Sequence, residues 1–162
     1  MNENTIRDIS LGLEDLALGY RILASHGHLE TTLGHLSWRD PKGRGIWIKC
    51  QEVGLDEVQP TDLHLVDWEG KVRDGSNGHH HSEWPIHAAV YNGRSDVESV
   101  GHTHPMHCVL FSATAEKLVG VGHNGSYFGD TVNIFEKTLS LVRSMEDANA
   151  MAEDLGQAWA VL

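Results

Sequence analysis

With 162 residues, 40% of them hydrophobic, the chain has enough material for one globular domain with an ordinary core. A formal net charge of -11 argues against nucleic acid, which needs a clustered positive surface, while leaving small anions open. Two cysteines, Cys50 and Cys108, are too few for a disulfide framework. No stretch resembles a signal peptide or a membrane span, so the expected setting is a reducing cytoplasm without a membrane partner.

From Ile6 to about His26, Ile9, Leu13, Leu16, Ala17, Tyr20 and Leu23 recur at three- and four-residue intervals, which predicts an amphipathic helix. Gly27 suits the left-handed position that closes it, and His26 and His28 read as a solvated helix end. "TTLGHLSWR", "GIWIK" and "LHLVDW" are rich in β-formers and are separated by "DPKGRG" and a polar stretch from Gly54 to Asp62. They predict antiparallel strands, with a turn at "DWEGKV". "RDGSNGHHH" leads to a helix introduced by Ser82 and Pro85, on which Glu83 and His87 are four residues apart. Farther on, "PMHCVLFSA" reads as a short buried helix, "KLVGVG" as a strand and "HNGSYFGD" as a glycine-rich loop. "FEKTLSLVRS" and "MEDANAMAEDLG" read as one or two helices and "AWAVL" as a last strand. Elements mix without a repeated βαβ rhythm, so the expectation is an α+β fold with a mainly antiparallel sheet flanked by helices, in a single domain over 1–162.

The chemistry concentrates between His81 and His107. His102 and His104 in "GHTHP" are alternate residues of an extended segment that Pro105 ends, so both imidazoles can aim at one point beside a loop. One helix and one strand earlier stands the carboxylate of Glu83. That order suggests a metal site. His87 reads as a packing or supporting residue.

These residues resemble a known family. S-E-x-P-x-H followed by H-T-H-P is similar to the class II aldolase/adducin-like family, and the likeness extends through "LGHLSWRD", "GIWIK", "LVDWEGKV", "AVYNGRSDVESVGHTHP" and "LGQAWAVL". The resemblance implies a three-layer αβα fold, a homotetramer, and a divalent ion, commonly zinc with manganese, cobalt or iron as alternatives. Carried over, Glu83 becomes acid/base and ligand, and His102 and His104 become ligands. The family's third histidine, on an "HG" loop after a strand like "AWAVL", has no counterpart here. The expectation is therefore a C-terminally truncated piece; otherwise another group completes the shell, His107 and His123 being the candidates. A catalytic zinc needs three protein ligands and an open position.

Sugar-phosphate members cradle phosphate with small residues in loops resembling "GN", "SG" and "SSE". This chain has Gly34-His35, Cys50-Gln51 after Lys49, and His81-Ser82. Gly34, His35, Lys49, His81 and Ser82 are thus the substrate-binding candidates, and a non-phosphorylated hydroxy or keto acid competes with a sugar phosphate. The implied function is a metal-dependent lyase, aldolase or decarboxylase, acting on a small hydroxy-carbonyl or hydroxy-acid substrate through an enediolate stabilised by the ion, in carbohydrate metabolism. A sugar-phosphate epimerase, or a non-catalytic module like adducin, is the alternative.

Overall fold

The computed structural model describes residues 9–75, 79–114, 116–128, 132–138 and 140–162. Helix α1 (Ile9–Leu23) buries Leu16, Ala17 and Tyr20, the stripe expected of it; the expected start at Ile6 lies outside the described residues. Gly12 sets how closely α1 approaches the sheet, because a Cβ there would stand 2.2 Å from the Trp38 ring. The helix unwinds through a wide turn over residues 24–28, where Gly27 takes φ +85.

Strands β1 (His35–Arg39), β2 (Ile46–Lys49), β3 (Leu63–Val66) and β4 (Ser99–His102) form one sheet of order β3-β2-β1-β4, antiparallel throughout. The β1–β2 turn is tied by Asp40, whose carboxylate accepts the Lys42 and Arg44 amides, each at 3.1 Å. The period-2 alternation sorts side chains onto two faces. Trp47, Leu63 and Leu65 join Leu16, Ala17 and Tyr20 under α1, with Leu36 and Trp38 packed alongside. Ile46, Ile48 and Val66 face the other way and pack on Tyr91 of helix α2 (Trp84–Gly93). Helix α5 (Met145–Leu155) continues that outer layer through Ala148 and Met151 against Ile86, Ala89 and Val90. Its start is set by Ser144, whose Oγ accepts the Asp147 amide at 3.1 Å. Helix, sheet and helices make the expected three layers.

After β4 the expectations fare less well. Helix α3 (Met106–Ser112) forms but is not buried: Met106 is 71% and Leu110 63% exposed. "KLVGVG" is not a strand, since no described segment pairs its backbone, and "HNGSYFGD" opens with a single turn, α4 (Gly122–Gly125), before Gly129 and Asp130, which lie outside the described residues. No helix forms among the described residues of "FEKTLSLVRS". Its described residues find other partners, Phe135 donating to Leu162 and Val142 to Glu83. "AWAVL" makes one parallel bridge, Val161 to Asn133, and does not join the sheet. Alternation supplies an apolar face; a strand also needs a neighbour's free edge.

Candidate metal centre

The site lies where the α2 face of the sheet meets the start of α2. Alternation along β1 puts His35 and Ser37 on that face, and the β1–β4 register sets His102 opposite His35 and Val100 opposite Ser37. Past the strand, the chain turns His104 back so that its Nε2 lies 2.9 Å from Nε2 of His102. The other ring nitrogen of His104 meets the Glu30 carboxylate at 2.8 Å. Glu83, 4% exposed, stands immediately before α2 with one carboxylate oxygen accepting the Val142 amide at 3.3 Å. Its other oxygen is 3.7 Å from Nε2 of His35. His81 enters from the preceding turn, its ring centroid 4.0 Å from that of His35, and its Nδ1 accepts the Glu83 amide at 3.3 Å.

Donor atoms of His35, His81 and Glu83 all lie within 4.8 Å of one another, and all three residues are buried. The His35 ring stacks on His102 with centroids 4.9 Å apart. Burial holds His35 and His87 well below the usual histidine range and takes His81 down to about 4; it also lowers His102, against the opposing pull of Glu83. Imidazoles kept neutral present lone pairs, as ligation requires.

The Glu83 carboxylate and the free nitrogen of His35, with His102 stacked beside that ring, fit a divalent ion. Imidazole and carboxylate suit zinc and its first-row neighbours. Nε2 of His35 is buried without a hydrogen-bond partner among the described residues. Its 3.7 Å separation from Glu83 is too long for a hydrogen bond yet within the span of two donors each about 2.0–2.2 Å from one ion. Glu30 holds the far nitrogen of His104 in the manner of a carboxylate behind a ligating histidine.

The remaining candidates separate. Gly34 is buried at φ +79, beneath the His102 carbonyl. Ser82 is half-buried at the site's edge. Lys49 is wholly buried, and its ammonium donates to the carbonyls of Thr32 and Val53 at 2.8 Å and Cys50 at 3.3 Å. Those bonds use its three protons, leaving none for an anion; burial lowers its pKa to about 8. His107 and His123 are exposed, and His123 stacks edge-on with Tyr127. Sequence reasoning passed over Glu30, distant in the chain, as well as Ser37 and Tyr91, and it named His35 and His87 without joining them in the buried line His35–His87–Ser37–Tyr91. The signal for that line was present in the alternation of His35 with Ser37 and the four-residue spacing of His87 and Tyr91.

A three-layer αβα domain with a buried histidine–carboxylate centre defines the class of protein. The chain belongs to the family described as the Class II Aldolase and Adducin N-terminal domain, which residues 14–162 match. It is 27% identical over 152 residues to the Meiotically up-regulated gene 14 protein of Schizosaccharomyces pombe, covering 93% of this chain and 59% of that one. It is 32% identical over 118 residues to a 3,4-dihydroxyphthalate decarboxylase of Arthrobacter keyseri, 67% of this chain and 44% of that one. The fold matches that of an L-fuculose 1-phosphate aldolase from Glaciozyma antarctica PI12 with a TM-score of 0.82 at 23% identity, over 99% of this chain and 64% of that one. Relatives thus include proteins named as aldolases, epimerases and decarboxylases. The chain spans about half the length of the curated relatives it matches. No helix among the described residues is long and apolar enough to cross a membrane.

Proposed function

We propose that this chain bears the metal centre of a carbon–carbon lyase, an aldolase or decarboxylase, acting on a small hydroxy-carbonyl or hydroxy-acid substrate. The observation that carries this reading is the buried Glu83 carboxylate facing a group of neutral imidazoles. Glu83, His102 and His104 would hold a divalent ion, zinc first among the choices. When bound, the ion supplies a Lewis acid that offsets negative charge growing on a substrate oxygen as a bond beside a carbonyl breaks.

The chain's own groups do the rest. With substrate in the place of Glu83 at the ion, that carboxylate would accept and return the proton through the oxygen turned toward His35, while the Val142 amide fixes the other oxygen. Because Nδ1 of His81 is taken up by the Glu83 amide, the neutral ring carries its proton on Nε2, where it can donate to a substrate oxygen. The engagement of Lys49 with backbone carbonyls, and the histidines at 35 and 81, favour a non-phosphorylated acid over a sugar phosphate. Homo-oligomeric assembly and a cytoplasmic setting complete the proposal.

Glu83→Gln keeps the shape but cannot cycle a proton. Turnover across a panel of hydroxy and keto acids and their decarboxylation products should fall by about two to four orders of magnitude. A rate near wild type would make Glu83 structural. In His102→Ala and His104→Ala, elemental analysis should show most of the bound metal gone.

A further inference from the structure

Building on that metal centre, we infer that His35 supplies a further imidazole to the ion held by Glu83, His102 and His104, with His87, backed by Ser37 and Tyr91, as its positioning residue. Four observations point there. Nε2 of His35 is the buried side-chain atom left without a partner among the described residues, and it is aimed at Glu83. A buried polar atom without a partner calls for an explanation, and an ion between it and the carboxylate is one.

The second observation is the direction of the proton chain behind His35. Its Nδ1 is bonded to Nε2 of His87. Nδ1 of His87 lies 2.7 Å from Ser37 Oγ, and that oxygen lies 2.8 Å from the Tyr91 hydroxyl. Let each group donate onward from His35: Nδ1–H of His35 to His87, Nδ1–H of His87 to Ser37, and the Ser37 hydroxyl to Tyr91. The Tyr91 hydroxyl then donates to the Ser37 carbonyl at 3.1 Å, and every proton has an acceptor. Nε2 of His35 is left as a bare lone pair. Running the chain in reverse puts a proton on that Nε2, with the nearest carboxylate oxygen 3.7 Å away and out of hydrogen-bond reach. Both directions leave Nε2 without a protein partner among the described residues, and the first is the one that an ion between it and Glu83 requires.

Third, the line lies inside the fold: His35, Ser37 and His87 are fully buried and Tyr91 is 2% exposed. Metal-binding histidines characteristically donate their second N–H to a fixed acceptor, and here Nε2 of His87 takes that place. Fourth, the other buried imidazole beside Glu83 is differently placed. His81 spends its Nδ1 on the Glu83 amide, which leaves it an N–H donor.

Zinc titration of the metal-free protein against a competing chelator, with X-ray absorption counting imidazoles on the zinc-loaded form, tests this. Wild type should show three imidazoles. His35→Asn should lose one and bind zinc at least about a hundredfold more weakly, and His87→Leu about 10–100-fold more weakly, while His87→Gln, whose carbonyl still accepts from His35, should recover most of the affinity. Wild-type affinity in His35→Asn, two imidazoles in wild type, or loss of an imidazole in His81→Asn instead would overturn the inference. Should His35→Asn fail to fold, the wild-type count and the His81→Asn and His87 variants decide alone. His102→Ala separates the two readings: unchanged zinc binding there removes the whole centre, whereas loss there with none in His35→Asn removes only the role of His35.

Discussion

The layered part of the chain, from α1 to β4 together with α5, and the segment from Met106 to Phe128 are both rich in apolar residues and meet opposite fates. In the first, Ile46, Ile48, Leu65 and Val66 are at most 2% exposed because each sheet face meets a helix. In the second, Met106, Leu110, Val119, Val121 and Tyr127 are each more than 60% exposed. An apolar period predicts an element only where another surface is present to receive it. All the buried candidate site residues belong to the layered part, since a buried carboxylate or imidazole needs walls that do not move.

The contrast can be broken most forcefully at Ile48. Replacing this fully buried residue by alanine should lower unfolding free energy by about 2–5 kcal/mol in denaturant titrations; a cost below about 1 kcal/mol would mean that the sheet's α2 face is loosely packed. Acid should act on the same region. His81 titrates near 4 in the fold against 6.5 in the unfolded chain, and burial lowers His35 and His87 as well. Below pH 6.5 the unfolded chain therefore binds protons that the folded one refuses, so stability of the metal-free protein falls as pH drops from about 6.5 toward 4. A midpoint of thermal unfolding that stays flat across that range would contradict the burial of these rings.

Smaller effects sharpen the boundary. Gly12→Ala improves helix propensity by about 1 kcal/mol but drives a methyl into the Trp38 ring, so the net change should be a loss of about 1–2 kcal/mol. Net stabilisation, measured by thermal unfolding, would show that α1 stands off the sheet. Val121→Ser, in the exposed segment, should change stability by no more than about 0.5 kcal/mol. A loss of 2 kcal/mol would reveal a packing surface over that segment.

Much was readable from local pattern alone. The helical period of Ile9 to Leu23, the alternation in "HLSWR" and "IWIK", and the glycine and aspartate turns are encoded within a few residues, so they needed no tertiary knowledge. That His102 and His104 could bring their rings together was likewise visible, because H-x-H can aim two imidazoles at one point from an extended segment, and their Nε2 atoms lie 2.9 Å apart. What local pattern could not supply is convergence. His35 and His102 are cross-strand partners 67 positions apart in number, and His87 reaches His35 from a different layer. Lys49, in sequence an attractive anion ligand, became a bracket for two loops because β2 points it inward to three carbonyls. Which polar groups meet is decided by register and by layer packing, and which of them stay neutral is decided by the burial that follows; neither is a property of any short stretch of chain.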